Sequence, residues 1–232
     1  VKQAIILIVL IIIAGIAAIF IFGNPFTNEI GLLDISEQQP VVIKNIELTD
    51  RDFYKIYYTD GYEKSEPKIM VLVIQPDDNY LGSISQWGEQ ANKHDFALAV
   101  IPDWTFEKIT EFNIDAHQNL GVNKIVYTGF SHGGYTSCGQ GLSNQTYVDA
   151  IIPMGAYCRD DDLDGQPQTT PILTIIGAQD NWALGDDLIR PDQRQFSFVT
   201  QIDTEYVLIP GIGHQFPTSY MDEVGDWLME NI

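Results

Sequence analysis

The chain has 232 residues, 45% of them hydrophobic, and sets 32 acidic side chains against 12 basic ones for a formal charge of −20. So large an acidic excess repels nucleic acid and anionic lipid headgroups, which excludes a DNA- or RNA-binding role while leaving the fold undetermined. Beyond an apolar leading stretch about 190 residues remain, enough for one domain with a sizeable core and too few for two ordinary ones.

Residues 4–22 are 19 positions without a charge, rich in Ile, Leu and Val. As a helix rising ~1.5 Å per residue, they match roughly the ~30 Å hydrocarbon core of a bilayer. A cleaved signal peptide has a shorter apolar region, about 7 to 15 residues, ending in a small-residue cleavage site. No clear site follows here, and no nearby cysteine could carry a lipid, so residues 1–23 are expected to form an uncleaved transmembrane signal anchor. Lys2 precedes the span and Glu29, Asp34 and Glu37 follow it. By the positive-inside tendency this directs the rest of the chain out of the cytoplasm. Residues 24–40 mix Asn, Pro, Gly, Ser and Gln without a sustained apolar period and read as a linker, leaving 41–232 as the domain.

Within the domain, VVIKNIEL at 41–48 and FYKIYYT at 53–59 are predicted strands, joined by a polar turn at 49–52 into an antiparallel hairpin. IMVLVI at 69–74 is a continuous apolar run of the kind buried on both faces of a sheet. SISQWGEQANKH at 83–94 reads as a helix opened by a capping box from Ser83 to Gln86. A strand at 96–101 follows, then a helix from about 105 to 119. Further strands are predicted at 124–128, 148–154, 171–177 and 205–210, and residues 217–232 close the chain as an amphipathic helix. Alternation of this kind after a hairpin implies a mainly parallel sheet with helices on both faces.

Directly after the KIVYT strand, Gly129, Phe130, Ser131, His132 and Gly133 form the pattern Gly-x-Ser-x-Gly. A serine on a sharp strand-to-helix turn has its hydroxyl pushed clear of the sheet, and the next amide, here that of His132, is left free to bind an oxyanion. The glycines at 129 and 133 are expected where side chains would collide as the turn brings strand and helix together. Gly177-Ala178-Gln179-Asp180 then ends the strand at 171–177, and Gly211-Ile212-Gly213-His214 follows the last strand.

In these three motifs and in its strand order, the chain from 41 to 232 resembles the α/β-hydrolase superfamily, whose triad runs in the order Ser, Asp or Glu, His. The resemblance implies a mainly parallel, eight-stranded α/β sheet behind the transmembrane helix. It implies Ser131 as nucleophile, His214 as general base and acid, and Asp180 as its orienting carboxylate. His214 has to be neutral to act as base, so activity should rise with pH as the imidazole loses its proton. Asp186, Asp187 and Asp192 are rivals to Asp180 that lie farther from the strand end, and His94 and His117 read as solvated or capping residues on helices. The family places its second oxyanion amide just after the third strand, where this chain has Gln75-Pro76-Asp77-Asp78. Proline has no amide proton, which leaves Asp77 or a neighbour as donor.

In the family, cap domains enter after the sixth strand; here only 155–170 intervenes, so an open site with a small or absent cap is expected. Trp104, Tyr157, Trp182 and Phe216 follow strand ends or triad residues and are candidates to line it, although core or rim packing is the commoner use of such rings. The expected substrate is a small-molecule acyl ester, and no motif asks for a cofactor. Asp160, Asp162, Asp164 and Gly165 match the opening of a Ca²⁺ loop, but position twelve is Pro171 where a bidentate acid is needed, so a solvated acidic loop and no metal is the reading. Cys138 and Cys158 are either a disulfide or two buried thiols, and Asn144-Gln145-Thr146 is a glycosylation acceptor pattern. A thioesterase, lactonase, amidase or peptidase could use the same triad, and a noncatalytic binding module could keep the same fold.

Overall fold

The computed structural model describes residues 47–50, 53–59, 61–74, 80–101, 104–163, 165, 167–184 and 204–232. The chain divides after Pro40, and all of these residues belong to the second unit, Val41–Ile232. The expected membrane span at 4–22 and linker at 24–40 lie outside the described residues; among those described, no helix is long and apolar enough to cross a membrane.

The strands are β1 (Glu47–Asp50), β2 (Lys55–Tyr58), β3 (Ile69–Ile74), β4 (Ala97–Ile101), β5 (Lys124–Phe130), β6 (Ala150–Met154), β7 (Leu173–Gly177) and β8 (Glu205–Ile209). They form one sheet in the order β1-β2-β4-β3-β5-β6-β7-β8. The first two strands pair antiparallel with each other, β2 pairs antiparallel with β4, and every later pairing is parallel. β1 runs through Thr49 and Asp50, which pair with Ile56 and Lys55, so the connection between the two strands begins two residues later than the predicted turn at 49–52. Polar residues were read there as a turn, but on an edge strand one side is open to water and tolerates them.

The helices are α1 (Tyr80–His94), α2 (Phe106–Asn119), α3 (His132–Ser143), α4 (Asn181–Leu184) and α5 (Met221–Asn231). α1 begins three residues ahead of Ser83, so that serine lies within the helix and not at the start expected for it. At α2 the cap is where a cap is needed: Thr105 has extended backbone and its hydroxyl accepts from the Lys108 amide at 3.4 Å.

Each long helix buries a stripe at i, i+3, i+7: Ile84, Trp87 and Ala91 on α1, Ile109, Phe112 and Ala116 on α2, Met221, Val224 and Leu228 on α5. The central strand β3 serves both faces. Its Val71 and Val73 join α1 and α5 in one core, while Met70, Leu72 and Ile74 join α2 and α3 in the other. Burial of a side chain of this size is worth about 1.5–3 kcal/mol, which is why a six-residue strand without a polar group sits at the centre of the sheet.

Cys138 on α3 and Cys158 after β6 form a disulfide with Cα atoms 5.0 Å apart, settling the alternative left by the sequence. A loop of this length closed by a disulfide stabilises a fold by about 3 kcal/mol. Asn144 caps the end of α3, is only 7% exposed and donates from its side-chain amide to the Gln140 carbonyl, so the glycosylation pattern is closed to modification in the folded chain.

Candidate active site

Because β5, β7 and β8 are parallel, their carboxyl ends open on the same edge of the sheet, the usual place for a ligand in an α/β fold. β5 continues to Phe130, into the Gly-x-Ser pattern, and α3 starts at His132. Ser131 alone makes the turn between them, with φ 56° and ψ −119°. A non-glycine residue in such a conformation costs of order 1–3 kcal/mol and persists only where its surroundings hold it. Here its amide donates to the Met154 carbonyl on β6 at 2.8 Å. A Cβ on Gly129 would lie 2.5 Å from the carbonyl oxygens of Gly133 and Ile74, so only glycine lets α3 descend onto β5. Gly134, one position beyond the pattern, is under the same limit, with Ala156 Cβ 2.7 Å from where its own Cβ would be.

The loops after β7 and β8 are joined to each other. Ala178 donates to Ile209 and Gln179 to Ile212, each bond 2.9 Å, and a Cβ on Gly177 would sit 2.5 Å from the Ile212 carbonyl oxygen. Asp180 and His214 therefore ride on one hydrogen-bonded unit. Asp180 has no solvent exposure; its Oδ1 accepts from the Ala183 amide at 2.9 Å and its Oδ2 from His214 Nδ1 at 2.8 Å. With Nδ1 as donor, Nε2 carries a lone pair, and it lies 2.8 Å from Ser131 Oγ as acceptor of the hydroxyl proton. The structure thus brings Ser131, His214 and Asp180 into one line of hydrogen bonds across sequence separations of 83 and 34 residues.

No protein-family model and no curated protein matches the sequence. Solved structures do resemble it. Est1E from Butyrivibrio proteoclasticus superposes with a TM-score of 0.55 at 16% identity, over 81% of this chain and 99% of that one. FphF, a fluorophosphonate-binding serine hydrolase of Staphylococcus aureus, gives 0.55 at 13% identity over 79% and 97%. An S-formylglutathione hydrolase from Agrobacterium tumefaciens gives 0.59 at 11% identity over 80% and 94%. Est1E is also known with ferulic acid bound. The chain has the α/β-hydrolase fold.

Ser131 sits alone on the turn from β5 into α3, and the His132 amide, at the first position of α3, is among those a helix leaves without an internal partner. The residues expected to supply the second oxyanion amide, including Asp77, lie outside the described residues, as do the rival carboxylates Asp186, Asp187 and Asp192. Trp104 is half-buried and its ring lies 5.5 Å from that of the exposed His132, on one flank of the serine. Tyr157 is half-buried against Tyr135, 5.3 Å away and nearly perpendicular. Burial, reinforced by Tyr157, pushes the Tyr135 phenol above its ordinary range, so it stays protonated at working pH. Phe216 packs 6.1 Å from Phe130 beneath the histidine loop. Of Trp182 only the backbone, in α4, is described. His94 and His117 belong to α1 and α2, and His117 Nδ1 bonds the Val122 carbonyl.

No group of three or more His, Cys, Asp and Glu side chains among the described residues is arranged to hold a metal ion. Asp162, from the calcium-like run, instead accepts from the Arg159 amide at 2.7 Å. Sequence reasoning passed over Phe130, which it read only as the variable position of the motif; its ring is 4.9 Å from that of His214. The signal available was an aromatic residue directly before Ser131.

Proposed function

We propose that this protein is a serine hydrolase that cleaves a carboxylic ester through an acyl-enzyme. The observation that carries the reading is the pair of 2.8 Å hydrogen bonds linking Asp180, His214 and Ser131. Ser131 Oγ attacks the ester carbonyl as its proton passes to His214 Nε2, and Asp180 balances the charge that appears on the imidazole. The tetrahedral oxyanion is met by the His132 amide, aided by the positive end of α3, and by a second amide from Asp77 or a neighbour. The protonated histidine then gives its proton to the departing alcohol. Water, activated by the same imidazole, releases the acid.

A small ester with a modest acyl or aryl group suits this site. Only 155–170 stands in the sequence where the family inserts a cap after its sixth strand, and the disulfide fastens it at Cys158 to α3, which argues for a fixed rim over a large moving cap at that point. Trp104 offers an aromatic flank beside His132, in keeping with the ferulic acid seen in Est1E. We further propose that residues 4–22 anchor the enzyme in a membrane with the hydrolase domain on the extracytoplasmic side. The uncharged run and the disulfide, a bond favoured in oxidising compartments, both support that placement.

The deciding experiment treats the purified protein with a fluorophosphonate probe beside its Ser131→Ala variant. Labelling of the natural protein alone is the expected result. Absence of labelling in the folded natural protein sinks the hydrolase reading in favour of a binding module, and labelling kept by Ser131→Ala moves the nucleophile elsewhere. A series of acyl and aryl p-nitrophenyl esters then ranks substrate size.

A further inference from the structure

The hydrogen bonds to Asp180 and Ser131 act at the two nitrogens of the His214 imidazole. Phe130 adds a ring contact: the ring centroids are 4.9 Å apart and the planes differ by 35°.

The phenyl ring is itself held in place. On one side Phe216 meets it at 6.1 Å and 61°, and Phe130, Phe216 and Ile212 all pack onto the core shared by α1 and α5. On another side, Gly155 has φ +56°, and a Cβ there would come within 2.6 Å of Phe130 Cε2. The histidine loop is thus fastened to the core by Ile212 before His214 and Phe216 after it, with Phe130 beneath.

We propose that Phe130 is a positioning residue that seats His214 between Asp180 and Ser131 and favours its protonated form in the reaction. The proposal rests on the triad reading. As the Ser131 Oγ–carbon bond forms, the O–H bond breaks and the proton joins Nε2, so the ring becomes a cation with the Asp180 carboxylate at Nδ1 and the Phe130 ring packed against it. The negative face of a phenyl ring attracts a cation within about 6 Å of its centroid. An aliphatic side chain of similar size would supply the wall without that attraction, and a small one would supply neither.

The test compares Phe130→Tyr, Phe130→Leu and Phe130→Ala in the full chain, measuring kcat and KM for p-nitrophenyl acetate, the rate of fluorophosphonate labelling, and thermal melting. Tyr should keep kcat within about 3-fold, because it retains the aromatic face. Leu should lose about 3- to 10-fold and Ala about 10- to 100-fold, chiefly in kcat, with labelling slowed in parallel. A Leu or Ala variant that melts like the natural protein and keeps kcat within 2-fold overturns the proposal. So does a loss confined to KM, or equal kcat losses in the Tyr and Leu variants. Should Ala fail to fold, Tyr against Leu decides the matter. A natural protein that neither hydrolyses nor labels overturns the triad reading, and the seat with it; an active one whose folded variants are equally active removes only Phe130.

Discussion

Asp180 accepts one hydrogen bond on each carboxylate oxygen, from the Ala183 amide and from His214, with no access to water. A carboxylate has two acceptors; an amide has one. In Asp180→Asn, therefore, either the buried Ala183 amide loses its partner, or the new NH2 group faces His214 and forces the proton to Nε2, where it blocks transfer from Ser131. We expect kcat to fall about 10⁴-fold with the fold retained, read from ester hydrolysis and circular dichroism. A loss below about 10-fold would mean that Asp180 does not orient the base. The three residues that these hydrogen bonds join, Ser131, His214 and Asp180, could each be singled out from sequence, because each stands in a glycine-bearing motif at a strand end. What the carboxylate oxygens touch could not be read, because Ala183 follows Asp180 on a one-turn helix that carries no periodic signal.

At the scale of elements, the pairing of α1 with α5 holds the clearest pH response. His94, near the end of α1, is flanked by Lys93 and Gln90 on its own helix and by Asp222 and Asp226 on α5, with Asp226 3.4 Å from its Nε2. Burial, assisted by the Lys93 charge and opposed by Asp226, Asp222 and the adjacent Asp95, holds its pKa below the ordinary histidine value. The unfolded chain takes up a proton near pH ~6.5, whereas the folded chain resists it, so the unfolded state binds more protons as pH falls through this range. Stability contributed by neutral His94 is present above that value and is lost on acidification. Denaturant melts should show the His94→Gln variant losing less stability than the natural protein between pH 7.5 and 5.5, and parallel slopes would refute the assignment. Strands were the most legible elements: β3 matches its predicted bounds, because a buried central strand is a continuous apolar run. The start of α1 and the end of β1 were misjudged where polar residues occupy regular structure, at Ser83 and at Thr49 and Asp50.

Over the whole molecule, a charge of −20 makes self-repulsion a standing cost of compaction. Screening relieves it, since the Debye length falls from about 20 Å near 20 mM salt to about 7 Å at 200 mM. Raising NaCl across that interval should lift Tm by about 2–4 °C, equivalent to about 1 kcal/mol. A Tm that stays level or drops would show that local ion pairs, such as Lys93 with Asp226 and Lys124 with Asp149, outweigh the general repulsion.

The sequence by itself determined the alternation of strands and helices and the order Ser131, Asp180, His214, and it alone motivates the proposal that 4–22 is an anchor. Each of these is written in a window of a few to some twenty residues, where apolar period and motif chemistry are local. Only the tertiary structure decided that Cys138 and Cys158 join, that Asn144 is closed to modification, and that Phe130 lies against His214. The bond and the ring contact depend on how the sheet's strand order brings distant loops together, and the asparagine on which face of α3 is covered, and no local pattern encodes either.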